Sequence, residues 1–243
     1  MLIEGKKIEL YEENFRLFCN EREIPVQVRT LGEMRDVLAD KCFAKKAEMK
    51  RNMYYMYRGV AQEGSLRYDI TAIPPGKLGY EFAKTSGHYH PVAKGDLSFC
   101  EVYGVLSGNA HYLLQKKEKG EIKEVALVKA KAGEVVIVPP NFGHVTINPC
   151  GKLLVMANIV EKNFESDYSE YKKMKGAAYF EKTDGKLVEN EKYVKVPKIG
   201  IFDADSFGER FEAYGKLKGK NLLEIMKNEG KLVEFLLEPN LLK

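Results

Sequence analysis

Three of the four histidines of this 243-residue chain fall in two short boxes. The spacing within and between those boxes constrains the fold more than any other feature. The first box reads Gly87-His88-Tyr89-His90, followed by Glu101 and, after six more residues, by Gly108. The second runs from Gly133 through Pro139 to His144, with Asn148 at the fourth position beyond it. In a strand, residues i and i+2 share a face about 7 Å apart, so His88 and His90 can aim at one point. Glu101 and His144 are expected from neighbouring strands. Three imidazoles and a carboxylate form a borderline donor set suited to a divalent first-row metal, with room left for water or substrate. An isolated His-x-His in a strand is more often solvated or hydrogen-bonded than metallated. The second box in register changes that reading to a metal-binding β-barrel.

The two boxes resemble those of the cupin superfamily, whose double-stranded β-helix (jelly-roll) barrels are mainly β. The resemblance implies that His88, His90, Glu101 and His144 bind the metal. Two departures stand out. Ten residues, Pro91 to Cys100, separate His90 from Glu101, where three or four are usual, and a loop at the barrel mouth is the expected outcome. Asn141 occupies a position usually held by glycine. Asp96 is the competing acid, but Glu101 alone is followed by the expected six residues and glycine. His111 lies in a strand-like segment outside both boxes and reads as structural or lumen-lining. Cys100, beside Glu101, is expected near the metal mouth.

Length and composition agree with one enzyme-sized globular unit: 44% of residues are apolar, enough for one core or a core with an appendage. The net charge of +4 comes from intermixed acids and bases. That suits an anionic small molecule and shows no nucleic-acid patch. Cys19, Cys42, Cys100 and Cys150 are scattered without a C-x-x-C pair, so free thiols in a reducing cytoplasm are expected. No apolar stretch is long enough for a signal peptide or a membrane span, which predicts a cytoplasmic protein with no membrane partner.

Three zones follow along the chain. Residues 1–50 form an N-terminal segment with one helix, opened by the capping box Thr30-Leu-Gly-Glu33 and carrying Leu31, Met34, Val37 and Leu38 at helical spacing. Residues 51–195 form the barrel, rich in strands and turn signals, with a hairpin expected around Asp184-Gly185. Residues 196–243 are a helical extension, with short amphipathic helices over 221–226 and 232–237 and Pro239 ending the second. Their role is expected to be packing away from the metal. The alternative is a lid that brings Lys216, Lys218 or Lys220 to a phosphate.

Over about residues 50–193 a closer match appears. Glu63-Gly64, Thr71, Pro75-Gly76-Lys-Leu-Gly79, Thr85-x-Gly87-His-x-His90, Glu101-Val-Tyr103, Leu113-Leu-Gln115, Val138-Pro-Pro140 and Asp167-Tyr168 fall in order. Together they resemble the archaeal, cupin-type glucose-6-phosphate isomerases. The resemblance implies a metal-dependent aldose–ketose isomerase that interconverts glucose 6-phosphate and fructose 6-phosphate. It implies that Thr71, Thr85 and Gly87 hold the phosphate and adjoining sugar, and that Tyr103 and Tyr168 line the same pocket. A further family tyrosine appears here as Ile159. A divalent cation polarises the sugar oxygens in such chemistry, and a carboxylate at its edge serves as base, which makes Glu101 the candidate proton carrier. Iron(II) is implied first, with manganese, nickel, zinc or cobalt able to serve. A homodimer is expected, because an antiparallel barrel often pairs through an exposed edge and the family is similar. Two other classes share such a ligand set: an iron(II) dioxygenase, which leaves Thr71, Thr85 and Tyr168 without a role, and a non-catalytic sugar-binding module.

Overall fold

The computed structural model describes residues 1–3, 8–163 and 165–243. Its centre is two six-stranded sheets facing one another, the mainly β cupin arrangement. One sheet has the spatial order Val135–Val138, Glu101–Ser107, Leu154–Glu161, Leu66–Ile73, Asn52–Glu63, Val26–Thr30. The other runs Gly200–Asp203, Glu121–Lys131, Asn109–Glu118, Phe142–Asn148, Glu81–Lys84, Lys77–Leu78. Pairings are antiparallel throughout these sheets except where Gly200–Asp203 joins Glu121–Lys131 in parallel. Side chains of the two inner faces meet between them. The Tyr103 and Tyr112 rings lie 5.1 Å apart, and the Tyr112 hydroxyl donates to Met156 Sδ at 3.6 Å.

Strands in the middle of both sheets are buried on both faces. Phe142–Asn148 and Leu154–Glu161 show no exposed residue, because each sheet is covered outside as well as inside. Outside the second sheet, Leu113 and Val145 share a core with Tyr171, Ala178 and Tyr179, from the helix Ser169–Lys173 and the segment that follows it. That segment contains the expected hairpin, Tyr179–Glu181 against Leu187–Glu189. His111 is on this outer side, its Nδ1 2.8 Å from Glu181 Oε1.

The outside of the first sheet is covered from both chain ends. Ile8, Leu10, Leu17 and Ile24, from a small N-terminal sheet, pack with Ile70, Val102, Ile137, Ala157 and Ile159. Beside them lie Leu222, Ile225, Met226, Val233, Phe235 and Leu236 from the C-terminal helices. Gly104 is the contact point: a Cβ there would stand 2.9 Å from Leu222 Cδ1.

Helix ends agree with their local signals. Glu33 accepts the backbone N–H of Thr30 at 2.8 Å, as a capping box requires. The helix it opens is shorter than its pattern predicts, ending after Leu31–Met34 and passing into a 3-10 turn, Arg35–Val37. About two turns, α then 3-10, already seat Leu31, Met34, Val37 and Leu38 in the core. At the other end, Asn221 caps Leu222–Asn228 by accepting from Glu224 N at 2.9 Å. The segment expected as a helix over 232–237 is a 3-10 stretch, Gly230–Leu236. Helices at Ala204–Gly208 and Glu212–Leu217 and the strand Gly200–Asp203 were not anticipated.

Candidate active site

The pocket between the sheets collects the four candidate ligands of the two boxes. His88, His90, Glu101 and His144 place one ligand atom each within 4.8 Å of one another. The two boxes meet through backbone hydrogen bonds: His88 N donates to His144 O at 3.2 Å, and His144 N donates to His88 O at 3.0 Å. His88 and His90 sit on a short bridged segment rather than a full strand, yet the alternation holds. Tyr89, between them, turns the other way, where its hydroxyl receives a hydrogen bond from Gln115 Nε2 at 2.7 Å. Gly87 precedes this turn with φ +80°, and a Cβ there would lie 2.6 Å from the Tyr171 ring and Val145 Cγ2. Only glycine meets both demands.

The ten residues before Glu101 form the expected loop in a defined shape, a hairpin of Val92–Lys94 with Leu97–Ser98. Asp96 is exposed in its turn and takes no part in the pocket, whereas Glu101 is buried within it. Asn141 explains its own departure from glycine. It adopts φ +67°, a left-handed conformation that asparagine tolerates better than most residues. Its Oδ1 accepts from Ser98 N at 2.9 Å, and its N–H donates to Ser98 Oγ at 2.7 Å. Asn141 thus clamps the base of the hairpin. The next residue along, Phe99, has its carbonyl 3.0 Å from His90 Nδ1.

The polar pattern fits a cation. A carbonyl only accepts, so Phe99 makes Nδ1 the protonated nitrogen of His90. With Nδ1 so committed, His90 Nε2 faces Glu101 Oε2, 3.1 Å away, while His144 Nε2 lies 3.3 Å from the same oxygen. Acceptors converging in a buried site repel unless a proton or a metal ion lies among them. Glu101 Oε1 is fixed separately, accepting from Asn158 Nδ2 at 2.7 Å. The Tyr103 hydroxyl lies 3.0 Å from His144 Nε2.

Electrostatics keep His88, His144 and Glu101 in the forms that a metal ion would need. Burial lowers His88 well below its usual range, and the neighbouring His144 and His90 add to the effect. Burial also pushes His144 down to about 4, despite the attraction of Glu101. Burial acts to raise Glu101, but its hydrogen bond with His90 and the adjacent imidazoles hold it below the ordinary glutamate value. Tyr103 is raised well above its normal value, first by burial and then by the Glu101 charge, so its phenol stays protonated.

Thr71, Thr85, Gly87, Tyr103 and Tyr168 all line this same pocket. The Thr85 hydroxyl accepts from Thr146 N at 2.9 Å, leaving its own O–H to donate. Tyr168 stacks near His88, with ring centres 5.4 Å apart, and carries the Arg29 guanidinium 5.1 Å over its ring. One expectation needs correction. Cys100 is fully buried on the opposite face of its strand, with Val102 and Ile137, because strand neighbours alternate. Ile159 likewise belongs to that outer core, and the pocket-facing position is Val160. Lys218 and Lys220 pair with Asp205 and Glu229 and, like Lys216, do not line the pocket.

Other lining residues escaped the sequence reading: Tyr54, Met56, Arg58, Arg67, Asp69 and Asn158 among them. They lie on three paired strands at alternate positions, so the signal was the period-two pattern of residues 54–58, 67–71 and 156–160. Continuous burial of both faces hid it.

A family model for glucose-6-phosphate isomerase matches residues 28–198. A glucose-6-phosphate isomerase of Thermococcus gammatolerans is 34% identical over 172 residues, covering 68% of this chain and 86% of its own. One from Pyrococcus horikoshii is 34% identical over 145 residues, 58% of this chain and 72% of its own. An oxalate decarboxylase from Bacillus subtilis overlays 47% of this chain and 26% of its own, with 21% identity and a TM-score of 0.34.

Proposed function

Because the chain belongs to the glucose-6-phosphate isomerase family, we propose that it interconverts glucose 6-phosphate and fructose 6-phosphate, using a divalent metal held by His88, His90, Glu101 and His144. The observation that carries the metal-dependent part is the close convergence of those four ligands, three of them buried, with acceptor atoms of Glu101 and His144 aimed at one another. When bound, the ion would polarise the sugar carbonyl and the adjoining hydroxyl and stabilise negative charge as it develops.

The chain's own residues supply the remaining parts. Glu101 is held as a carboxylate, so in the aldose-to-ketose direction it can accept the C2 proton and return it to C1. Asn158 orients that carboxylate through Oε1, which leaves Oε2 as the acting oxygen. Tyr103, kept protonated, offers a hydrogen bond to the sugar oxygens beside His144. Thr71, Thr85, Gly87 and Tyr168 fit the holding of sugar and phosphate, since all four face the same cavity. Iron(II) is the first ion to try, with manganese, nickel, zinc and cobalt next.

The test is a coupled isomerase assay on metal-stripped protein with divalent ions restored one at a time. Activity that disappears with chelator and returns with an ion supports the reading. Full turnover after exhaustive metal removal refutes the metal dependence, and no turnover with any ion refutes the isomerase.

A further inference from the structure

At one side of the pocket a β-bulge lies beside an inward-facing arginine. The ladder between Asn52–Glu63 and Leu66–Ile73 loses register between Tyr57 and Ala61, and Gly59 takes φ +66° there. Arg58, where the bulge begins, keeps the inward alternation of Tyr54 and Met56. Asp69, almost fully buried, holds the bulge by accepting the Gly59 N–H at 2.7 Å. The same carboxylate is neutralised by Arg67, whose Nε lies 2.9 Å from both of its oxygens. Arg67 is tied down further, donating to the Lys162 carbonyl at 2.8 Å.

Arg58 is left with charge to spare. It comes no closer than 3.5 Å to Asp69, and its Nε donates to the neutral Gln27 side chain at 3.0 Å. Its side chain is one-third exposed and lines the pocket with Arg67 and Asp69. Two guanidinium groups against one carboxylate leave a single positive charge at this wall, on the residue with the weakest internal partner. Guanidinium forks match phosphate oxygens in geometry as well as charge.

We infer that Arg58 reads the phosphate of the substrate and thereby selects phosphorylated over free sugars. This rests on the sugar-phosphate reading of the site. Alternation turns the guanidinium inward, Asp69 and Arg67 hold the bulge that follows it, and the phosphate supplies the missing anion.

The test compares wild type, Arg58→Gln and Arg58→Lys in the metal-restored isomerase assay, with inorganic phosphate as a competing ligand and metal content measured in parallel. Arg58→Gln should raise KM for glucose 6-phosphate about tenfold or more and weaken phosphate inhibition by a similar factor. The loss in kcat should be smaller, and metal content should be unchanged. Arg58→Lys should recover part of the affinity, since it restores charge without the fork. Unchanged KM and phosphate inhibition in Arg58→Gln overturn the inference. If the wild type shows no isomerase activity, the isomerase reading fails instead, and thermal stabilisation by inorganic phosphate in wild type against Arg58→Gln still decides the role of Arg58. Equal stabilisation of the two would overturn it.

Discussion

Single residues set the chemistry of this site, and two of them allow sharp tests. Glu101 has one oxygen committed to Asn158 and the other facing two imidazoles. Glu101→Gln keeps the shape but cannot accept a proton. Turnover is therefore expected to fall about 10²- to 10⁴-fold, with a much smaller change in sugar affinity. Asp96→Asn, exposed in the hairpin turn, should be near wild type. Steady-state kinetics of the pair check the assignment, and normal turnover by Glu101→Gln with a dead Asp96→Asn would reverse it. Gly87→Ala combines a left-handed backbone with a Cβ 2.6 Å from Tyr171 and Val145. Strain and overpacking should cost at least about 2 kcal/mol, read by denaturant unfolding, and activity should fall with it. The metal set was legible because its spacing is a strand property. Arg58 was not, because burial on both faces of its strand hid which face of the alternating pattern met the pocket.

At the scale of elements, burial on both sides explains most differences between sequence and structure. Alternation was the right rule for Cys100 and Ile159, but the register had to be known before it could assign a face. The two boxes fixed the register at His88, His90 and His144 and left it open by one residue near Ile159. The strand Gly200–Asp203 was missed for a related reason: four residues with a half-exposed pattern carry little periodicity. The apolar positions of the C-terminal helices were clear, and their burial against the first sheet follows from the need to cover Val102, Ile137 and Ala157. Leu222 packs at the closest point, over Gly104. Leu222→Ala should therefore cost about 2–5 kcal/mol in chemical unfolding while leaving KM nearly unchanged, since this contact lies on the far side of the sheet from the pocket. A large rise in KM without lost stability would show that the extension acts on the pocket.

For the whole molecule, the buried imidazoles couple stability to acidity. His144 falls to about 4 in the folded chain against an ordinary 6.5, and His88 is also lowered, both chiefly by burial. Between those values the unfolded chain binds more protons than the folded one, so unfolding becomes easier as pH falls. The metal-free protein should be most stable above about pH 6.5 and lose stability progressively toward pH 4. Thermal unfolding across that range checks the sign. The slope should be shallower in His144→Asn, and an identical slope would remove His144 from the account. Among the described residues no helix is long and apolar enough to cross a membrane.

The hairpin between His90 and Glu101 carries a consequence for how related chains are found. What the cluster of three histidines and Glu101 requires is the position of two backbone points, and Asn141 with Ser98 fixes those points whatever hangs beyond them. Doubling the length of a closed loop costs only about 0.6 kcal/mol. The number of residues between the second histidine and the glutamate is thus nearly free to drift. A search pattern that demands three or four residues there would discard this chain outright. One that leaves the interval open, and admits asparagine where the clamp needs a left-handed residue, would keep it and others built the same way.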